Sequence, residues 1–363
     1  WLLNSNPEWR DRGAAGELAF GTIDSWLIFR LTGGSVHATD HTNASRTLLY
    51  SLDSGDWDPW LCDLFGVPQA MLPEVRNSSG DFGLTDPEVF GAEVRIAGVA
   101  GDQQAALYGQ GAWERGEAKN TYGTGAFLLL HTGTERGRDV PGVLTTAACD
   151  RRGGRAFAYE GAILVAGAAI QWLRDGLGLL EDAAESEGLA RAVESSGGVY
   201  FVPALAGLGT PWWEPEVRGT ILGLSRGSRR EHLVRAALEA MAYSTLDALQ
   251  AMTAGPDIDL KSLRADGGAS ANDWLMQFQA DVLGVPVRRP AATELTAVGA
   301  AGLAGLRAGV WAEPEEFLAA RGEETVFAPR PGATGVAEQG LRGWRRAIRT
   351  AIHCAHLEDD GGA

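Results

Sequence analysis

Thr121-Tyr122-Gly123-Thr124-Gly125-Ala126-Phe127 decides the fold, because it joins two β-like runs across 120–131 through a threonine flanked by glycines. Two glycines around a Thr make a tight turn whose N–H groups and hydroxyl can cradle a phosphate. The same residues also read as an ordinary hairpin turn. A second hairpin follows at 144–149 and 155–159 around Arg152-Gly153-Gly154, and a helix is expected over 162–173. Further out, the runs 17–21, 94–100, 219–224 and 260–266 read as strands. Helical periodicity covers 102–108, 231–252, 271–283 and 339–352, with a Pro/Gly-rich loop at 327–335. Short strands interleaved with helices indicate a mixed α/β architecture. Gly109-Gln110-Gly111 interrupts the pattern, so the expected division is 1–109 and 110–363.

Two other loops have the same form as the first, a strand ending in small or acidic residues with a polar group presented there. In open α/β sheets ligands bind beyond the carboxyl ends of the strands. Ala100-Gly101-Asp102-Gln103-Gln104 offers a carboxylate and an amide to a polyhydroxylated substrate, or Asp102 is simply a helix N-cap. Asp266-Gly267-Gly268-Ala269-Ser270-Ala271-Asn272 could admit a nucleoside close to the backbone, or is a plain strand-to-helix turn capped by Ser270. It is neither a Walker A sequence nor a Gly-x-Gly-x-x-Gly fingerprint.

Composition removes several function classes. The 363 residues carry 31 basic and 47 acidic side chains, a formal net charge of −16, which disfavours a nucleic-acid partner. Three scattered cysteines cannot frame a disulfide fold, and a reducing cytoplasm is the expected compartment. The longest apolar run, 162–170, falls far short of the ~20 residues that span a bilayer, so no membrane partner is expected. The chain opens Trp1-Leu2-Leu3-Asn4 without a Met, like the middle of a protein. His353, Cys354 and His356 crowd the C-terminus, but no second Cys/His cluster completes a zinc site, and no metal ligand is assigned. Gly223-Leu224-Ser225-Arg226-Gly227 matches a hydrolase elbow in letters only, since helical periodicity resumes near Glu231 and not directly after the Ser.

The three loops, in this order, resemble the FGGY family of carbohydrate kinases. Thr39-Asp40-His41-Thr42-Asn43-Ala44-Ser45-Arg46-Thr47, Met71-Leu72-Pro73-Glu74-Val75, Gln171-Trp172-Leu173-Arg174-Asp175 and Gly207-Leu208-Gly209-Thr210-Pro211-Trp212-Trp213 are similar to family stretches as well. So is the segment from Gly219 through Gly223-Leu224, His232-Leu233 and Ala236 to Glu239. The resemblance runs from Trp1 to about Trp344, and Asp102-Gln103-Gln104 points within the family to members that act on glycerol.

The resemblance implies an actin-like, ribonuclease-H-like two-domain ATPase fold with the active site in the cleft. It implies ATP and Mg²⁺ as cofactors, and transfer of phosphate to glycerol giving sn-glycerol 3-phosphate. Carried over by position, Asp102 is the expected general base, Gln103 a second ligand for glycerol hydroxyls, and Phe127 the surface under the glycerol carbons. Thr124 is expected at the terminal phosphates, Gly167 and Gln171 along the nucleotide, and Gly268 and Asn272 at the adenosine portion. A homo-oligomer is expected. Another sugar or polyol kinase of the family, and a non-catalytic actin-like ATP binder, are the competing readings.

Two departures from the family pattern stand out. No Asp-x-Gly-Thr-Thr strand occurs, so the chain is expected to be a fragment with an incomplete first domain, inactive alone. The loop Asp86-Pro87-Glu88-Val89-Phe90-Gly91-Ala92-Glu93 is acidic where some relatives bind an anionic effector, so that regulation is not expected here.

Overall fold

The structure, a computed structural model, describes residues 1–255, 258–292 and 294–357, leaving aside the side chains of 334–337. The expected second domain thus includes a tail, 358–363, that lies outside the described residues. Its centre is a seven-stranded sheet. The strands are β3 (Glu117–Tyr122), β4 (Ala126–Gly133), β5 (Leu144–Cys149), β6 (Arg155–Ile163), β7 (Ser262–Asp266), β8 (Val287–Pro290) and β9 (Glu324–Phe327), in the order β9-β8-β7-β3-β4-β6-β5. Two short parallel strands, β1 (Ala38–Asp40) and β2 (Glu74–Arg76), precede them.

Hairpin chemistry sets the antiparallel half. Strand β3 pairs with β4, β4 with β6 and β6 with β5, all antiparallel, whereas β7 runs parallel to both β3 and β8. The expected hairpins at 120–131 and 144–159 are therefore present. The helix expected from 162 begins later, because Ile163 is still paired with Ala126 at the end of β6. Helix α4 (Gly167–Asp175) starts only after the chain has left the sheet.

Helices cover both faces. Helix α6 (Arg230–Met252) packs Ala237, Leu238 and Met241 against Ala118, Tyr122, Leu128 and Leu130. On the opposite face, Leu107 of α3 (Asp102–Gly109) packs with Leu129, Ala148, Ala156 and Ala158. Helix α3 also lies on α8 (Leu295–Ala308) through glycines. A Cβ at Gly299 would fall 1.8 Å from the Ala105 carbonyl oxygen, and one at Gly109 would fall 2.3 Å from that of Leu295. That contact fixes the helix carrying Asp102 against the second half of the chain. The remaining helices used below are α1 (Ile23–Leu31), α2 (His41–Ala44), α5 (Glu185–Arg191), α7 (Asp273–Leu283), α9 (Pro314–Arg321) and α10 (Ala333–Ala355).

Two expected strands are not strands. Residues 17–21 make scattered bonds, among them Glu17 N–H to the Arg12 carbonyl at 2.9 Å, Phe20 N–H to the Met71 carbonyl at 2.7 Å and His37 Nε2 with the Phe20 carbonyl at 2.9 Å, and form no ladder. Residues 94–100 form isolated bridges, Arg95 with Leu84 and Gly98 with Ser79, and run half-exposed. Residues 94–100 run antiparallel to 78–85, with Phe82 N–H donating to the Ile96 carbonyl and Ile96 N–H to the Gly83 carbonyl, both at 2.9 Å, but the pairing stays at isolated bridges and does not build a continuous ladder. Among the described residues no helix is long and apolar enough to cross a membrane.

Candidate active site

Register brings two of the three loops, the turn between β3 and β4 and the one after β7, to one end of the sheet. Thr121 lies opposite Phe127 on β4 and opposite Asp266 on β7, and Phe127 lies opposite Ala162 on β6. The next row is Arg264, Lys119, Leu129 and Glu160. Side chains two apart on a strand share a face, so both rows face the side that α3 covers.

A cavity of 470 Å³ opens beside these strand ends, and Thr124, Gly167, Gln171, Gly268 and Asn272 all line it. Five residues from three separate segments of sequence are thereby gathered around one space. Gly123 N–H donates to the Gly125 carbonyl at 2.8 Å, closing the turn. The Thr124 carbonyl accepts from Ala166 and Ala168 N–H at 2.8 and 3.1 Å, and the Gly123 carbonyl from Gly167 N–H at 3.0 Å. The first amides of α4 are thus consumed by the turn. Among the described residues the Thr124 N–H, its hydroxyl and the Gly125 N–H make no hydrogen bond, and they remain as donors for an anion. Gly167 is needed for closeness, since a Cβ there would sit 2.6 Å from the Gly123 carbonyl oxygen.

The Gly267-Gly268 pair divides its work. Gly267 has φ +82°, and its Cβ would meet the Tyr122 carbonyl oxygen at 2.4 Å. A Cβ at Gly268 would meet nothing within 4 Å and would project into open space beside the cavity. Ser270 is not the cap of the following helix. Asn272 caps α7, its Oδ1 accepting from Leu275 N–H at 2.9 Å, while the Ser270 hydroxyl turns back to the Gly267 carbonyl at 2.7 Å. The Asn272 amide also donates to the Ser186 hydroxyl at 3.3 Å, tying α7 to α5 across the cavity wall. Tyr122 steadies the other side: its buried hydroxyl donates to Gln279 Oε1 at 2.6 Å, and burial pushes it up to about 12.

Asp102 is not an N-cap either. Gly101 occupies the cap of α3 without a side-chain bond, and Asp102 is the first helical residue, exposed, with Oδ1 accepting from Gln103 N–H at 2.7 Å. Gln103 keeps a buried Oε1 with no partner among the described residues, an acceptor available to a bound hydroxyl. Phe127 is 45% exposed on a strand whose adjacent Ala126 and Leu128 are fully buried. Asp102, Gln103 and Phe127 share the α3 side of the sheet but lie outside the 470 Å³ cavity.

Several groups in this region had no role in the sequence reading. Asp40, fully buried, accepts from Thr42 N–H at 3.1 Å, the Thr42 hydroxyl at 2.6 Å, Asn43 N–H at 2.9 Å, the Asn43 amide at 2.8 Å and the Ser78 hydroxyl at 2.5 Å. An Asp followed at two and three residues by Thr and Asn is a capping pattern, and that signal was available. Arg46 forks onto the buried Glu160 of β6, one arm at 3.1 Å, so the same stretch grips the central sheet. Ser186 and Glu187 line the cavity from a segment without any motif. Lys119, one of only two lysines, is 1% exposed in the row behind Thr121.

The weaker motifs resolve as structure. The Ser225 hydroxyl accepts from Gly227 N–H at 3.2 Å in an exposed loop, and the next helix begins at Arg230. His353, Cys354 and His356 lie at the end of α10, with His356 Nε2 2.9 Å from Glu214.

Known proteins resemble the chain at every level. The N-terminal domain model of the FGGY family of carbohydrate kinases matches residues 1–109, and the C-terminal domain model matches 118–308. A protein named glycerol kinase from Deinococcus radiodurans is 50% identical over 363 residues, 100% of this chain and 72% of that relative. One of the same name from Alkalilimnicola ehrlichii is 54% identical over 360 residues, 99% of this chain and 72% of its own. Among solved structures, Plasmodium falciparum glycerol kinase with ADP superposes with a TM-score of 0.89 at 34% identity, covering 97% of this chain and 70% of that one. A xylulose kinase from Rhodospirillum rubrum, 23% identical over 92% of this chain and 68% of its own, shares the fold with a TM-score of 0.80. With both domain models matched and the strand-end loops converging as they do, the chain belongs to the FGGY family of carbohydrate kinases and has its actin-like, ribonuclease-H-like α/β fold.

Proposed function

We propose that this protein transfers the γ-phosphoryl group of ATP to a terminal hydroxyl of glycerol, giving sn-glycerol 3-phosphate and ADP. The observation that carries the reading is the gathering of Thr124, Gly167, Gln171, Gly268 and Asn272 around one cavity of 470 Å³. The names of relatives at 50–54% identity support glycerol as the acceptor. We keep the domain division at 1–109 and 110–363, with the cleft between them as the site of reaction. Three free thiols, Cys62, Cys149 and Cys354, suit a reducing cytoplasm as its compartment.

In this mechanism the nucleotide lies along the cavity, its adenosine against Gly268 and Asn272 and its flank along Gly167 and Gln171. Thr124 presents its N–H and hydroxyl to the terminal phosphates. Glycerol rests its carbons on Phe127 and donates a hydroxyl hydrogen bond to the free Gln103 Oε1. Asp102 takes the proton of the attacking hydroxyl as the new O–P bond forms. Phosphoryl transfer leaves little covalent work to the protein, so these groups act by position and charge. Mg²⁺ belongs to the reading through the family. Among the described residues no group of three or more His, Cys, Asp or Glu could hold a metal ion, and no step is assigned to Mg²⁺.

A coupled ADP-release assay of the intact protein across glycerol, xylulose, ribulose and gluconate tests the assignment. Glycerol is expected to be turned over fastest. Faster turnover of any of the other three would overturn it.

A further inference from the structure

A polar cavity of 530 Å³ opens at the far end of β6, away from the proposed chemistry. Arg155, the first residue of β6, stands on its wall, whereas Ile163, the last, pairs with Ala126 at the end that carries the ligand-facing turn. Eight residues of strand, about 27 Å, separate the two ends. Both matched domain segments build the wall: Tyr50, Arg76, Asn77 and Asp81 from the first, Arg155 and Arg307 from the second. The acidic residues 86–93 take no part in it.

Charge on this wall does not cancel. Arg76 is matched by Glu74 and donates to the Asp81 carbonyl, and the Asp81 carboxylate is matched by Arg95 at 3.5 Å. Arg155 and Arg307 make no ion pair among the described residues. Two positive charges are thus left over in a chain whose formal net charge is −16. Arg155 is held in place, its guanidinium 5.6 Å from the centre of the Phe157 ring. It also lies against the backbone of Gly55, where a Cβ would fall 1.9 Å from Nη1.

Tyr50 supplies a second, independent sign. It is 7% exposed, and its buried hydroxyl has no hydrogen-bond partner among the described residues. Burial raises the pKa of that hydroxyl, and Arg155 close by opposes the rise from outside hydrogen-bond geometry. Asp40 and Asp56 add to the rise, so the hydroxyl keeps its proton and stays a donor. An unpaired buried donor is costly and points to a missing acceptor.

We infer that this cavity is a binding site for a phosphate dianion, held between Arg155 and Arg307 with the Tyr50 hydroxyl and the Asn77 amide as further donors. The inference does not rest on glycerol as the substrate. A dianion answers two unmatched guanidiniums, and its tetrahedral oxygens accept from donors that arrive from several directions. A carboxylate brings one charge and two coplanar oxygens. Because the donors come from both domain segments, a bound dianion ties the two together and stabilises the fold.

The test uses the intact protein at pH 8 with ADP saturating the 470 Å³ cavity. Inorganic phosphate and sn-glycerol 3-phosphate are titrated separately by calorimetry, and Tm is read with each against sodium chloride of equal ionic strength. Saturable binding and a rise in Tm beyond that in chloride are expected. Arg155→Gln and Arg307→Gln are each expected to weaken that binding about tenfold, and Tyr50→Phe about threefold. The ADP Kd is expected to stay within about twofold, since the two cavities are far apart. Arg307 is exposed, so its variant decides the matter even if Arg155→Gln does not fold. Loss of either anion in Arg307→Gln supports the site, and the tighter of the two identifies its source as the bare ion or an ester. Binding that Arg307→Gln leaves unchanged belongs to the site of transfer and overturns the inference. So does a rise in Tm that chloride reproduces, or no saturable binding of either anion.

Discussion

The Thr42 hydroxyl accepts the Gly101 N–H at 2.8 Å while donating to the Asp40 carboxylate at 2.6 Å. Asp40 is itself fixed by five hydrogen bonds, so the loop that carries Asp102 is tied to a buried polar hub 59 residues earlier in sequence. Thr42→Val removes the acceptor and keeps the shape. Leaving the Gly101 N–H unpaired is expected to cost about 1–3 kcal/mol of stability. Because the same bond sets where α3 begins, kcat is expected to fall with little change in ADP affinity. Thermal melts and steady-state kinetics on one preparation check both halves.

The paired glycines after β7 predict opposite outcomes for the same substitution. Gly267→Ala puts a Cβ at φ +82° and 2.4 Å from a backbone oxygen that cannot move aside. It is expected to lose about 2–4 kcal/mol of stability from left-handed strain and overpacking together. Gly268→Ala meets nothing within 4 Å and is expected to melt as before. Its methyl group would occupy nucleotide space, and ADP affinity is expected to fall about tenfold, roughly 1.4 kcal/mol. Thermal melts and calorimetric titration with ADP separate the two. Equal effects on both quantities would remove Gly268 from the nucleotide site.

These two glycines also mark what was legible in the sequence. The loop was readable as a strand-to-helix turn from Asp-Gly-Gly-Ala, with a nucleoside site as one of its two readings. Which glycine bears strain was not, since it depends on Tyr122 arriving from another strand. The hairpins were readable from Gly123-Thr124-Gly125 and Arg152-Gly153-Gly154, which are local signals. Residues 17–21 misled because strand identity depends on a partner, and pairing is not a local property; residues 94–100 do pair with 78–85, but only through isolated bridges. Likewise Asp40 and Glu160 gain their meaning from Ser78, Arg46 and the sheet, contacts 38 and 114 residues apart.

A pH dependence follows from the packing of α10 on α6. Asp247 accepts the Trp344 indole N–H at 2.7 Å, and burial raises its pKa from 3.8 to about 6, with Trp344 and Arg345 pulling the other way. Between about pH 4 and 6 the folded state therefore holds a proton that the unfolded state has released, and stability falls as pH rises through that window. Two units correspond to about 3 kcal/mol, an upper figure since Arg345 loses its counter-charge in a neutral variant. Asp247→Asn keeps an acceptor for Trp344 and is expected to melt higher at pH 8, with the difference shrinking towards pH 4. Denaturant unfolding at both pH values checks the sign. A constant difference across the range would show that the hydrogen bond alone matters.

Asp102→Asn tests the centre of the proposed chemistry, and the structure sharpens what it can show. Asp102 does not cap α3: Gly101 holds that position, and among the described residues the carboxylate bonds only to the Gln103 N–H that follows it. An Asn Oδ1 can accept that same bond, so the local backbone is expected to keep its form and Tm to change by no more than about 0.5 kcal/mol in stability terms. What the amide cannot do is take a proton. If Asp102 accepts the proton of the attacking hydroxyl, kcat in the intact protein is expected to drop by about 10²–10⁴, the usual share of general-base catalysis. The residues that line the 470 Å³ cavity come from other segments, so ADP affinity is expected to hold. A fall in kcat with KM for glycerol nearly unchanged marks an interaction made in the transition state. A folded variant with near-normal kcat would remove Asp102 as the base.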